Sequence, residues 1–289
     1  MIAAGDMVLA LGGRLAAASA SAALDAELLV AHVLGIGRSA LAAHPERRLD
    51  PAQAEMLERL VLRRLAGEPV AYLTGRKEFW SLDLGVTHDV LVPRPETELV
   101  VECALAALTG IARPAVLDLG TGSGAIALAI ARERPDAAVT AVDESAGALA
   151  VAAGNAARLG IANVRFLHGS WFGPVAGERF DLVASNPPYL AADDPALATL
   201  AHEPRRALVA GPGGLEALAR VCAGASGALR PGGALVVEHG ADQGAAVRAL
   251  MSGAGLVDVA THRDLAGLSR ATQGRTTPDT LELASSRQE

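Results

Sequence analysis

Lysine occurs once, at Lys77, cysteine twice, and aromatic residues only eight times in 289 residues. With no lysine beside any glycine-rich turn, a phosphate-binding loop of the kind that reaches phosphates with a lysine is excluded. Cys103 and Cys222 stand far apart in sequence with no Cys-x-x-Cys pattern. That rules out a disulfide framework and gives no zinc-ligand spacing, so both read as small buried apolar residues. Long apolar runs are missing too. The longest charge-free stretches, such as residues 119–131, have thirteen residues, short of the roughly 18 that cross a bilayer. The first twenty residues lack a basic start and an unbroken apolar block, because Asp6 comes early and Arg14 interrupts, so no secretory signal is read and a cytoplasmic protein is expected. Basic charge is also scarce. Thirty-two acidic against 25 basic side chains leave a formal charge of −7, the wrong balance for tracking nucleic-acid phosphates. Neither direct DNA binding nor a membrane partner is expected.

What remains is 51% hydrophobic and 20% charged, the composition of a soluble globular protein of one large or two ordinary domains. Apolar residues recur at helical spacing over 25–35 and 54–65, where Met56, Leu57, Leu60, Val61 and Leu65 form one stripe. Asp50-Pro51-Ala52-Gln53 supplies an N-cap, a proline at the first helical position and a glutamine three residues after the cap, which marks a helix start. Residues 1–76 are therefore expected to be all-helical. Their near balance of charge suits either a packing domain or a docking surface for a protein partner. Leu82, Leu84 and Val86 alternate with polar residues, and Thr87-His88-Asp89 then leads into Val90-Leu91-Val92, so residues 77–95 are expected to form a β-hairpin linker with its turn at 87–89. Pro93 and Pro95 stop its extension.

Over residues 96–289 short apolar runs at 115–119, 138–142, 164–168, 181–185 and 234–238 alternate with alanine-rich helical stretches. Strands spaced by helices imply a mostly parallel sheet covered on both faces. A last pair, 256–261 and 280–283, is expected to close the sheet as an antiparallel edge.

The first strand of that sheet runs into Asp118-Leu119-Gly120-Thr121-Gly122-Ser123-Gly124 and then an apolar helix. Glycines at such a turn let backbone N–H groups approach an electron-rich ligand at a helix start. Alone, this turn reads equally as a tight bend. The second strand ends in Asp143, 23 residues after Gly120, where a carboxylate can accept both hydroxyls of a ribose. The spacing is Gly-x-Gly-x-Gly instead of the dinucleotide pattern, and a second motif, Asn186-Pro187-Pro188-Tyr189, ends the fourth strand. The combination indicates S-adenosylmethionine. An amide nitrogen is a poor nucleophile because its lone pair is delocalised. Two acceptors aimed at its N–H bonds direct that lone pair at a methyl group: the Asn186 side-chain oxygen and the Pro187 carbonyl, with Tyr189 lying flat on the amide plane. The methyl donor is a sulfonium cation, so positioning outweighs base strength. Trp171 follows the third strand and is expected to pack on an adenine ring, with Phe172 closing the same wall. The seven histidines show no metal spacing.

On these residues the chain resembles the bacterial protein-(glutamine-N5) methyltransferases, and most closely those that modify peptide chain release factors. The likeness includes Gly67-Glu68-Pro69-Val70-Ala71-Tyr72, Val92-Pro93-Arg94-Pro95-Glu96-Thr97-Glu98, the turn from Asp118 to Gly124, Asn186 to Tyr189, Glu203-Pro204, and Asp264-Leu265-Ala266-Gly267 with Arg270. The resemblance implies an α/β fold, a Rossmann-like class I S-adenosylmethionine-dependent methyltransferase domain with a small all-helical N-terminal domain. It implies that Gly120, Thr121, Gly122, Ser123, Gly124, Asp143, Trp171 and Asn186 bind S-adenosylmethionine, and that Asn186, Pro187, Pro188 and Tyr189 hold the glutamine amide of a Gly-Gly-Gln loop. It also implies that residues 1–76 dock the release factor, with the enzyme a monomer acting in translation termination. A methyltransferase of a ribosomal-protein glutamine shares the same motif. A DNA adenine-N6 methyltransferase shares it as well, but would carry a basic recognition region and flip its base. A cofactor-binding protein without catalysis is the reading from a different class.

Overall fold

A computed structural model describes residues 2–278. The chain divides into two compact units between Arg76 and Lys77.

The first unit contains helices α1 (Ala4–Leu15), α2 (Ala22–Leu34), α3 (Arg38–Ala43), α4 (Pro51–Leu65) and α5 (Val70–Thr74). Helix α4 begins where its sequence directs. Asp50 Oδ1 accepts from the Gln53 N–H at 2.8 Å, and Gln53 Oε1 accepts from the Asp50 N–H at 3.0 Å. A closed capping box of this kind is worth about 1 kcal/mol. Leu57, Leu60 and Val61 enter a core with Leu11, Leu15, Leu29 and Val30. Met56 and Leu65, expected on the same stripe, are instead 37% and 38% exposed. Met56 sits about 100° around the helix from Leu57, and Leu65 ends the last turn, beyond the packed residues.

The second unit opens with a hairpin of β1 (Arg76–Phe79) and β2 (Leu82–Gly85). This corrects the expected register, which put the turn at 87–89. The turn is Trp80-Ser81, both residues with positive φ, 52° and 56°, the conformation whose twist suits a two-residue hairpin. Residues 90–92 add no strand, because the Val92 N–H goes to Glu203 Oε2 at 3.1 Å and the prolines beyond it have no N–H to give.

Seven strands form the main sheet: β3 (Ala115–Leu119), β4 (Ala138–Asp143), β5 (Val164–His168), β6 (Phe180–Ser185), β9 (Leu229–Glu238), β10 (Val257–Arg263) and β11 (Ser269–Arg275). A small parallel pair, β7 (Leu190–Ala191) and β8 (Val209–Gly211), lies outside it. The order is β10-β11-β9-β6-β3-β4-β5, with β11 antiparallel to both neighbours. Helices α6 (Glu98–Ala107), α7 (Ala125–Glu133), α8 (Ala146–Leu159), α9 (Glu216–Ala228) and α10 (Gly244–Gly253) occupy the connections. Successive strand residues feed two separate cores. Val116, Leu182, Ala184 and Val236 pack with α6 and α7, whereas Leu117, Val183, Leu235 and Val237 pack with α9 and α10. Both faces are buried, which is why these strands are apolar without alternation.

The antiparallel edge exists, but its second member is β11, not residues 280–283, which lie outside the described residues. Asp264 Oδ1 accepts from the N–H groups of Ala266 and Leu268, each at 3.0 Å. This closes a tight turn that returns the chain at once.

Candidate active site

The chain builds β3, β4 and β5 outward and then crosses back to place β6 beside β3. In an open α/β sheet that reversal parts the loops and leaves a crevice at the carboxyl ends of the strands. The register keeps those ends level: Leu119 pairs with Val142 and with Ser185, and Asp143 with His168. The Ser185 hydroxyl donates to the Leu119 carbonyl at 2.7 Å, pinning β6 to β3 at the rim. A cleft opens there, walled by the loops after all four strands and by residues from the segment after the hairpin.

Gly120, Thr121, Gly122 and Ser123 line the cleft. Gly120 and Gly122 have φ of 72° and 56°, and a Cβ on either meets no protein atom within 4 Å. A side chain at these positions is disfavoured by the backbone and would project into open space. Gly124 serves differently. It starts α7 at φ 85°, and a Cβ there would stand 3.0 Å from Leu128 Cδ1, so the residue permits close packing and does not line the cleft. Behind the turn, fully buried Asp118 accepts from the Thr121 hydroxyl at 2.7 Å and the Ala127 N–H at 3.2 Å. Burial pushes its carboxyl up to about 7.

Asp143 lines the cleft, and it braces the turn as well. Its Oδ2 accepts from the Gly122 N–H at 2.9 Å and its Oδ1 from the Ser145 N–H at 2.8 Å. Each carboxylate oxygen keeps a second lone pair for a ligand hydroxyl. Trp171, with φ 50°, also lines the cleft. Phe172, expected on the same wall, does not. It packs into the core beside α9, where a Cβ on Gly224 would fall 2.3 Å from its ring. The positive φ at Trp171 accompanies this parting of two adjacent rings.

The Asn-Pro-Pro-Tyr segment divides in the same way. Asn186 and Pro188 line the cleft, while Pro187 and Tyr189 are not among its lining residues. Asn186 Nδ2 donates to the Thr97 hydroxyl oxygen at 3.2 Å. The Tyr189 hydroxyl approaches Glu238 Oε1 at 3.4 Å, and Gln243 Nε2 donates to the Tyr189 carbonyl at 2.9 Å. Burial, then the charge of Glu238, raises the Tyr189 hydroxyl above its usual value. Burial also pushes Glu238, at the end of β9, up to about 7, against the opposing pull of Thr97 and Arg270.

Several cleft residues carried no role in the sequence reading: Val90, Leu91, Pro93, Arg94, Thr97 and Arg206. Arg94 forms a short ion pair with buried Glu203, whose other oxygen holds the Val92 N–H. The signal was present in the proline-flanked run Val92-Pro93-Arg94-Pro95, which cannot pair as a strand and must find its partners elsewhere. Among the described residues no His, Cys, Asp or Glu cluster could hold a metal ion.

The donor set fits a neutral ribose and adenine with a sulfonium: two bare glycines, an acidic group for hydroxyls, an indole and no lysine. The fold and cleft define a Rossmann-like methyltransferase that uses S-adenosylmethionine. In agreement, the family model for the methyltransferase small domain matches residues 96–254, and that for the PrmC N-terminal domain matches residues 11–75. The release factor glutamine methyltransferase of Bordetella pertussis is 54% identical over 254 residues, covering 87% of this chain and 94% of that one. The protein of the same name in Escherichia coli K12 is 46% identical over 261 residues, covering 89% and 94%. The chain belongs to the release factor glutamine methyltransferase family. Among solved structures, a methyltransferase from Pyrococcus furiosus superposes with a TM-score of 0.51 at 19% identity over 76% of this chain and 98% of that one. The Thermus thermophilus 16S rRNA N2 G1207 methyltransferase, in complex with AdoMet and guanosine, does so with 0.51 at 18% identity over 70% and 49%. These two share the fold.

Proposed function

We propose that this protein methylates the side-chain nitrogen N5 of the glutamine in the Gly-Gly-Gln loop of a peptide chain release factor. S-adenosylmethionine, when bound, supplies a methyl group on a positively charged sulfur. In this reading Gly120, Thr121, Gly122, Ser123 and Asp143 hold its polar groups, Gly124 keeps the turn packed onto α7, and Trp171 covers its adenine. The observation that carries the proposal is the position of Asn186. It stands in the wall of the same cleft as the glycine turn, with its Nδ2 given to Thr97. The side-chain oxygen is then the atom left to accept from a substrate N–H. The Pro187 carbonyl takes the second N–H, and Tyr189, held through its carbonyl and hydroxyl, limits how the amide plane can rotate. Two acceptors on one NH2 group leave its lone pair as the only face open to the methyl carbon. The methylated nitrogen, briefly cationic, is strongly acidic and loses a proton without a dedicated base.

Residues 1–76 dock the release factor in this scheme, and the reaction belongs to the cytoplasm, where termination occurs. The test uses labelled S-adenosylmethionine with the release factor and with a variant whose loop glutamine is alanine. Label on the native factor alone, lost by at least about 100-fold with Asn186→Ala, is the expected result. Equal labelling of both factors refutes the substrate assignment.

A further inference from the structure

Tyr189 can limit the rotation of a substrate amide only if its own ring keeps a fixed place, and it stands on a loop, after the end of β6. The neighbouring strand supplies the constraint. β9 pairs with β6 in parallel, and the turn that follows it reaches Gln243, the half-buried residue just before α10.

Gln243 uses both ends of its amide. Oε1 accepts from the Gly240 N–H at 2.8 Å, which turns Nε2 the other way. Nε2 then donates to the Tyr189 carbonyl at 2.9 Å and to the Gly214 carbonyl at 3.2 Å. Two hydrogens serve two acceptors, and only this orientation of the amide satisfies all three backbone groups. The same peptide unit is held at its other edge, because the Leu190 N–H donates to the Leu208 carbonyl at 2.9 Å. With both of its polar groups bonded, the plane that follows Tyr189 cannot turn freely. Gly214 makes the approach possible: it is buried with φ 72°, and a Cβ there would stand 2.8 Å from the Tyr189 carbonyl oxygen. At the far end of the ring the Tyr189 hydroxyl meets Glu238 Oε1 at 3.4 Å. We infer that Gln243 is a positioning residue for the methyl transfer. It fixes the Tyr189 backbone, and so the place of the ring against which the substrate amide lies. Gln243 does not line the cleft, so it acts through Tyr189 and not on the substrate. This rests on the reading of Asn186 to Tyr189 as the amide site.

The test separates the two ends of the glutamine. Gln243→Met keeps the length and removes every bond, whereas Gln243→Glu keeps the acceptor for Gly240 but sets an oxygen against two carbonyls. Steady-state turnover is measured against release factor at saturating S-adenosylmethionine. Both variants should lose about ten- to a hundredfold in kcat, Q243E no less than Q243M, while KM for the release factor and Kd for the cofactor stay within about threefold. A residue that merely supports the turn at Gly240 gives the opposite order, with Q243E close to wild type. On top of Tyr189→Ala, read by single-turnover labelling, Q243E should cost less than about threefold, because the ring it positions is gone. Wild-type kcat in Q243E, a loss carried by KM or Kd, or an undiminished further loss in the Y189A background each overturn the inference. If one variant does not fold, the other decides in the Y189A background. A fully active Y189A sinks the role given to Tyr189 itself, and equal labelling of the two release factors sinks the substrate; both are read with Gln243 intact.

Discussion

Replacing Asn155 with alanine tests how the glycine turn is held. Asn155 lies on α8 at 2% exposure. Its Oδ1 accepts from the Gly85 N–H at 2.7 Å, and its Nδ2 donates to the Gly85 carbonyl and to the Ser123 carbonyl, each at 2.9 Å. One side chain therefore joins three segments distant in sequence: the end of the hairpin, the glycine turn and α8. Alanine removes these three bonds, and a fourth that Oδ1 accepts from Arg158 on the same helix at 3.1 Å, and offers nothing in return. Counting only the three that join separate segments, at about 1 kcal/mol each, the loss is about 3 kcal/mol. For a unit of this size that is a fall of about 6–12 °C in Tm. Trp80 and Trp171, the only tryptophans, both belong to the second unit, so tryptophan fluorescence during urea or thermal unfolding follows that unit by itself. Asn155→Asp sharpens the test. It keeps an acceptor for Gly85 but turns a second oxygen on two carbonyls, so it should be weaker at about pH 8, where it is charged, than at about pH 5. A loss below about 1 kcal/mol in N155A would refute the argument, since the three bonds would then be replaceable by water.

Glu238→Gln makes a pH prediction of its own. The folded carboxyl, raised from 4.5 to about 7 by burial, keeps its proton over a range where the unfolded one has released it. Folding is therefore progressively disfavoured as pH rises through that window, by at most about 3 kcal/mol. The glutamine variant has no such proton to lose, so its stability relative to wild type should improve between about pH 5 and pH 8; parallel curves from chemical denaturation would count against burial as the cause. Asp143→Asn sets an amide against the N–H of either Gly122 or Ser145. Calorimetry should show S-adenosylmethionine bound about 10- to 100-fold more weakly, and affinity within about twofold of wild type contradicts the bracing role.

Periodicity carried most of the architecture. Strands at 115–119 and 164–168 coincide with β3 and β5, and the Asp50 cap opens α4 where expected, because local signals and tertiary packing agree there. The hairpin was misplaced because its turn, Trp80-Ser81, contains none of the residues that announce a left-handed bend. Side-chain bonds from elsewhere hold it: Glu98 and Glu78 receive the N–H groups of Trp80 and Ser81. In the site, glycines and an acidic strand end are legible because backbone conformation and charge leave a mark in composition. Thr97 and Glu238 were not singled out, since a threonine before a helix and a glutamate ending a strand are common. Only the fold gives each its partner, Asn186 for Thr97 and Tyr189 for Glu238. The parting of Trp171 from Phe172 was invisible for a related reason, because it depends on one backbone angle.

The hairpin turn has a further implication. Two non-glycine residues in a strained conformation need outside support, and here it comes from acidic groups on the flanking strand and on two later helices, including Glu133 Oε1 at 2.9 Å from the Trp80 indole nitrogen. The ribbon is therefore not a portable module. Excised as a peptide it keeps Glu78 but lacks Glu98 and Glu133, and during synthesis its full support must await a helix 18 residues and another 53 residues downstream.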